Sequence, residues 1–335
     1  MKRLYTLLAG TATVLAANAQ ISITDSLTVG TIATLLEGIG VTVTNVQVNC
    51  PERAMGHFNG SSELAIAQGL VLTSGIADSV AGPVGAFASF GWGNPGDPDL
   101  DMDAGNGGLT LDGCALEFDC VPQGDTLLFN FSFGSEEYQE FVGSSFNDAF
   151  AIYLSGPGYT PRVNVAAIPG GTIVAINNVN DGTNSAYYHN NETAPSGQFV
   201  AYDGFTTNLT AFAVVQPGQS YHFKVVIADM ADMVFDSGVF LEAFSFRSPL
   251  FTTGVDGATD ERFKLAMQGD ELLLSGPAGL GAGQPVLVHD MGGSLVFQGL
   301  TTGPRTTLAV GGLKQGLYVV HLPGSGLAPQ RFVRE

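Results

Sequence analysis

The sequence predicts an all-β chain: a large jelly-roll-like antiparallel β-sandwich with one short N-terminal helix, followed by a small Ig-like β-sandwich. Three observations carry this. The 335 residues include 45 Gly and 16 Pro but only 13% charged side chains, a composition suited to many short strands and tight turns. Apolar residues alternate in runs that each end at Gly, Pro, Asn or Asp, and no long helical pattern or internal repeat intervenes. Charge then changes along the chain. Residues 20–250 hold 24 Asp/Glu against Arg53, Arg162, Lys224 and Arg247, whereas residues 263–335 hold five basic and four acidic residues.

Taken in order, "MKRLYTLLAGTATVLAANAQ" combines Lys2 and Arg3, an apolar stretch and Ala17-Asn18-Ala19, the three parts of a secretory signal. Residues 1–19 are therefore expected to be removed on export. The apolar stretch is too short to span a bilayer, and no other segment is long enough. "DSLTVGTIATLLEGIG" predicts the helix, with Ile32, Leu35 and Leu36 on one face and Gly38 and Gly40 ending it. "VTVTNVQVNC" alternates but changes parity between Val43 and Val46, the mark of a bulge. "DTLLFNFSF" puts Leu127, Phe129, Phe131 and Phe133 on one face. The runs "AFAIYLSG", "TIVAINNV", "LTAFAVV", "YHFKVVIAD" and "GVFLEAFSF" complete a body spanning 20–250. A linker at 251–262 then leads to "PVLVHDMGGSLVFQG", "TTLAVGGL", "GLYVVHL" and "QRFVRE", strands of the second sandwich at 263–335.

An exported chain places Cys50, Cys114 and Cys120 in an oxidising compartment. Cys114–Cys120 would close a small loop; Cys50–Cys114 and Cys50–Cys120 are equally permitted by the sequence. The net charge of -19 repels nucleic acid and anionic lipid and attracts cations.

Two resemblances follow from quoted residues. The C-terminal unit resembles the type A sorting domain of the Bacteroidota type IX secretion system, through Val286-Leu287-Val288, Asp290, Gly292-Gly293, Leu308, Leu313, "QGLYVV" and "QRFVRE". It departs where a Tyr-Pro-Asn-Pro-like element is usual and "LAMQGDELLL" stands instead. The resemblance implies export by that machinery, removal by its surface protease or transferase, and attachment to lipopolysaccharide. From about Leu27 to Phe246 the chain resembles choice-of-anchor L domains. The carriers are "GLVLTSG", "NPGDPDLD", "LEFDCVPQGDTLLFNFSFGSEEYQEFV", "FNDAFAIYLSGPG", "NSAYYHNN", "YDGFTTNLTA" and "DSGVFLEAFSF". Cys120 stands where that family has a bulky apolar residue. This likeness implies location and architecture and no substrate.

The carboxylates at strand ends pose the chemical question. Adjacent strand residues point to opposite faces, so Glu136 and Glu137 converge only if they lie in a loop. Asn147-Asp148 is placed to return beside them, and "ADMADMVFDSG" adds Asp229, Asp232 and Asp236. Oxygen donors of this kind suit a hard cation, and a structural Ca²⁺ tying the 134–148 loop to the 229–236 loop is the expectation. Hydrogen-bonded polar loops are the alternative. "GDPDLDMDAGNGG" imitates an EF-hand, but Ala104 stands where Gly is required, and a solvated acidic turn is expected there. Paired carboxylates, Glu137 with Glu140 or Glu136 with Asp148, would suit a polysaccharide hydrolase. A single Trp and the absence of GxSxG and HExxH weigh against catalysis, so no catalytic residue is assigned. Trp92, Tyr187 and Tyr188 sit in loops suited to binding a glycan or surface protein. The expected function is adhesion or recognition at the outer cell surface.

Overall fold

The computed structural model describes residues 21–60, 62–104, 109–249, 263–277, 280–290, 295–323, 325, 327 and 329–334. The leader at 1–19 and the linker at 251–262 lie outside them. The body contains β1 (Ser22–Thr24), β2 (Val41–Asn49), β3 (Met55–Asn59), β4 (Gln68–Thr73), β5 (Thr110–Pro122), β6 (Thr126–Ser135) and β7 (Ala149–Gly156). It continues with β8 (Tyr159–Asn164), β9 (Tyr188–Asn190), β10 (Gly204–Thr206), β11 (Leu209–Val214), β12 (Tyr221–Met230) and β13 (Ser237–Glu242). One antiparallel sheet runs β1-β3-β4-β13-β6-β10-β9, with β11 also on β6; the other runs β2-β5-β12-β7-β8.

The predicted alternation is what joins them. Leu127, Phe129, Phe131 and Phe133 of β6 are buried against Leu116 and Phe118 of β5, Ile152 of β7 and Val225 of β12. Phe246 sets its edge against Phe118, Phe129 and Phe223 at centroid distances of 5.2, 5.2 and 4.9 Å. Each such ring contributes roughly 1.5–3 kcal/mol by leaving water. A second cluster, including Phe58, Val71, Tyr202, Phe205 and Phe240, covers the other face of the eight-stranded sheet.

Helix α1 (Val29–Leu36) forms as expected and buries Ile32, Leu35 and Leu36. Thr28 caps it, accepting from the Thr31 amide at 3.1 Å. The parity change in β2 is a register shift between Thr44 and Gln47, with Asn45 at φ 52°. The 97–103 acidic stretch differs from expectation. It contributes a second short helix, α2 (Pro98–Ala104), because Pro98 favours a first helical position and Asp97 Oδ1 accepts from the Asp99 amide at 2.9 Å.

The cysteine alternatives resolve to Cys50–Cys114, leaving Cys120 free and buried. Cys114 and Cys120 both lie on β5, six residues apart, so about 20 Å of extended strand separates them.

The C-terminal unit has β14 (Lys264–Gln268), β15 (Glu271–Ser275), β16 (Ala282–Asp290), β17 (Leu295–Thr302), β18 (Arg305–Ala309), β19 (Gly316–His321) and β20 (Gln330–Arg334). They form sheets β14-β15-β18 and β17-β16-β19-β20 around Leu272, Leu274, Val286, Val288 and Phe332. Among the described residues no helix is long and apolar enough to cross a membrane.

Candidate functional site

Two acidic groups must be separated, because the chain treats them oppositely. Around α2 the carboxylates meet cations. Lys224 Nζ reaches Asp97 Oδ2 at 2.6 Å and Asp99 Oδ2 at 2.7 Å. Arg162 reaches Asp99 at 3.4 Å and Asp103 at 3.3 Å, and its guanidinium lies 4.4 Å from the Tyr153 ring centroid. Burial alone would lower the Lys224 ammonium, but its bonds to Asp97 and Asp99 hold it above its ordinary value. Asp101 accepts from the Thr110 amide at 2.6 Å and from its hydroxyl at 2.9 Å. This is a clasp fastening α2 to β5, β8 and β12.

The other group has no such relief. Glu136 and Glu137 follow directly from β6, Asp148 precedes β7, Asp229 lies near the end of β12, and Asp236 precedes β13. All five are 0–2% exposed. Backbone amides occupy part of the set. Glu136 Oε1 accepts from Ala88 N at 2.7 Å, Asp236 Oδ1 from Phe90 N at 3.0 Å, and Asp148 Oδ1 from Met230 N at 2.9 Å. Asp148 Oδ2 accepts from the Ser237 hydroxyl at 2.6 Å. Asp112 accepts from Trp92 N at 2.8 Å and Asn94 N at 2.7 Å. Four oxygens remain without a hydrogen-bond partner: Glu137 Oε2, both of Asp229, and Asp236 Oδ2. The Ser74 hydroxyl lies close enough to Asp229 to ease its ionisation, yet its hydrogen bonds are with Ser237.

The electrostatics follow. Burial first, then Asp203, Asp236 and Glu140, push Glu136 up to about 8 despite its bond from Ala88. Burial and Asp112 push Asp236 up to about 7. Glu137, Asp148 and Asp229 are raised by burial and by neighbouring carboxylates. Nearby, burial with Glu192 and Glu140 pushes Asp203 up to about 7. Desolvation disfavours each anion, and like charges compound it.

Of the expected metal ligands, the fold thus brings Glu136, Glu137, Asp148, Asp229 and Asp236 into one buried group. Asp232 sits at its half-buried rim, accepting from Val234 N at 3.0 Å while its charge acts on Glu137 and Asp148. Asn147 turns away, accepting from Asn177 N at 2.9 Å. Among the described residues, no three or more His, Cys, Asp or Glu side chains converge, as they stand, in a way that could hold a metal ion.

The expected binding aromatics are dispersed. Trp92 is half-buried; its indole N–H donates to the Gly75 carbonyl at 2.9 Å and its ring centroid lies 4.7 Å from that of Phe90. Tyr188 is buried 4.8 Å from the Tyr138 ring, and Gln139 donates to its hydroxyl at 2.6 Å. Tyr187 lines a cavity of about 440 Å³ with Phe212, His289 and His321, between body and C-terminal unit.

Sequence reasoning points to Phe90-Gly91-Trp92 in the 87–109 loop as a recognition surface, but not to the apolar side chains that join Phe90 above the carboxylates. Phe87, Phe90, Met233 and Val234 are exposed. Phe235 joins them, 5.2 Å from both Phe87 and Phe141. The amides bound by Glu136 and Asp236 belong to this same 87–92 loop, so the buried acids hold the exposed rings. It also missed Gly75, where a Cβ would stand 1.7 Å from Asp236 Oδ2. The only available signal was "LTSG" ending a strand, which fixes no role.

Comparisons with known proteins bear on the body. The family model described as Choice-of-anchor L domain matches residues 15–247. No curated protein matches. Among solved structures, a Faecalibacterium prausnitzii β-glucuronidase is 11% identical with a TM-score of 0.18, covering 66% of this chain and 37% of its own. The crystal structure of a Ruminococcus gnavus β-glucuronidase is 11% identical with a TM-score of 0.16, covering 66% and 35%. The chain thus spans little more than a third of these enzymes, at scores too low to bear on fold or activity.

Proposed function

The chain belongs to the choice-of-anchor L domain family, and on that premise we propose that it is a surface-anchored extracellular protein whose body is a non-catalytic recognition module. The residue 1–19 leader would take it out of the cytoplasm. The 263–335 unit would serve as a type IX sorting domain, handed to the surface protease or transferase and attached through lipopolysaccharide. Support for that second step is the sequence resemblance together with a compact seven-stranded unit of its own core.

One observation carries the choice of recognition over hydrolysis. Of the acids nominated for a hydrolase, Glu136, Glu137 and Asp148 are 0–2% exposed and Glu140 alone is exposed, so each nominated pair has a buried member; Glu136 and Asp148 are bonded to amides of neighbouring loops. A glycosidase needs two carboxyl groups facing a substrate-sized gap from opposite sides. Exposed on the same loops are Phe87, Phe90, Met233 and Val234, and apolar surface of this kind marks contact sites. The partner class is an extracellular glycan or surface protein, with Trp92 beneath the contact and Tyr187 lining the 440 Å³ cavity.

The test uses the full secreted chain on glycan and surface-protein arrays. Binding that is lost in Phe87→Ser/Phe90→Ser, with melting unchanged, supports the reading. Polysaccharide turnover that vanishes in Glu137→Gln would overturn it.

A further inference from the structure

We propose that Glu137, Asp148, Asp229 and Asp236 together hold a Ca²⁺ ion at the junction of the 136–148 segment, the end of β12 and the start of β13. The inference stands apart from whatever the aromatic loops bind. An ionised carboxylate taken from water without a partner costs several kcal/mol, and here four oxygens on three buried side chains lack any partner. Asp229 is the strongest case, 2% exposed with both oxygens unsatisfied.

Among the described residues, the body's own Lys and Arg side chains are engaged elsewhere. Of the four basic residues in the body, Arg53 pairs with Asp25 and Asp78, and Lys224 and Arg162 serve α2. The fourth, Arg247, has Glu242 as its neighbouring charge. Cancelling this charge therefore falls to protons, which these raised acids take up readily, or to a cation from solution that displaces them. The donors are oxygens, with neither Cys nor His among them, which favours a hard cation over zinc or copper. A donor set drawn irregularly from three loops suits Ca²⁺, which accepts six to eight oxygens in flexible geometry. The remaining ligands would be carbonyls, the Ser74 hydroxyl and water.

The structure also narrows the expected ligand set. Glu136 and Asn147 are committed to backbone amides, and Asp232 closes its own turn at the rim. Asp148 is fixed by two hydrogen bonds, while Asp229 has none; because the carboxylates do not converge as they stand, the ion has to draw Asp229 and Glu137 round onto it.

The experiment titrates the chelator-treated full chain with CaCl₂ at neutral pH, by calorimetry and by melting. Saturable heat and a raised Tm are expected, with an affinity in the extracellular-module range of about 10⁻⁴–10⁻³ M or tighter. Asp229→Asn is expected to abolish both, yet to melt at or above the wild type in chelator, because an amide sits in that buried place needing neither proton nor cation to neutralise it. Glu137→Gln gives the same readout should Asp229→Asn fail to fold. Asp101→Asn, in the α2 clasp, is expected to keep the response. Absence of heat and shift in the wild type overturns the proposal. So does a Ca²⁺ response that survives in Asp229→Asn or Glu137→Gln, or that is lost in Asp101→Asn.

Discussion

Lys224→Met isolates what a paired buried carboxylate is worth in this body. The ammonium lies 2.6 Å from Asp97 and 2.7 Å from Asp99, with side chains 13%, 8% and 31% exposed respectively. Removing one partner of a buried pair costs about 3–5 kcal/mol, since the remaining charge stays desolvated. Asp97 bears nearly all of that. Asp99 is relieved by water and by Arg162 at 3.4 Å, which puts the loss near the lower end, about 3 kcal/mol. For a domain of this size that is roughly a 6–12 °C fall in Tm. Urea unfolding followed by circular dichroism measures it, with an unchanged m-value confirming that the unfolded state is not the cause. The double variant Asp97→Asn/Lys224→Met should recover most of the loss, because it deletes both charges. A single-variant loss below about 1 kcal/mol, the range of exposed ion pairs, would refute the reasoning, and so would a double variant worse than the single.

Other outcomes follow from the same geometry. Replacing Cys50 and Cys114 with Ser opens a 64-residue separation and should cost about 4 kcal/mol on chain-entropy grounds, read by denaturant midpoint. His321 is held down to about 3 by burial, reinforced by His289 and Arg247. Between its unfolded value near 6.5 and that folded value, the unfolded chain binds more protons, so the C-terminal unit should lose stability as pH falls through this window. The slope is at most ~1.4 kcal/mol per pH unit, and His321→Leu should flatten it in hydrogen-exchange measurements on β19. Gly75→Ala places a Cβ 1.7 Å from Asp236 Oδ2; a melting temperature equal to wild type would contradict the packing described.

Legibility in the sequence divides by the range of the interaction. Leu127, Phe129, Phe131 and Phe133 declare their face because a strand has period two, and the structure buries all four. Helix α1 and the bulge at Asn45 were equally visible, one through its apolar face and the other through a parity change. The second helix is hidden because Asp99, Asp101 and Asp103 look like a solvated turn until Lys224 and Arg162, far along the chain, neutralise Asp99 and Asp103 and Thr110 donates to Asp101. Asp229 was nominated, but nothing local says that its oxygens are orphaned while Asn147 is satisfied by Asn177. Tyr187 and Tyr188 read as a pair, yet Tyr187 ends a short 3₁₀ turn (Ser185–Tyr187) while Tyr188 opens β9 and goes inward.

The pairing of β2 with β5 sets Asn49 opposite Ala115 and Val43 opposite Cys120. A slide of six positions, an even number, would bring the wrong thiol to Cys50 while leaving every apolar residue of β5 on its proper side. Hydrophobic sorting is therefore blind to this particular error, whereas the covalent crosslink is not. Once closed, it acts as a permanent record of which alignment the two strands chose, and a mispaired molecule would be trapped, out of step, outside the cell.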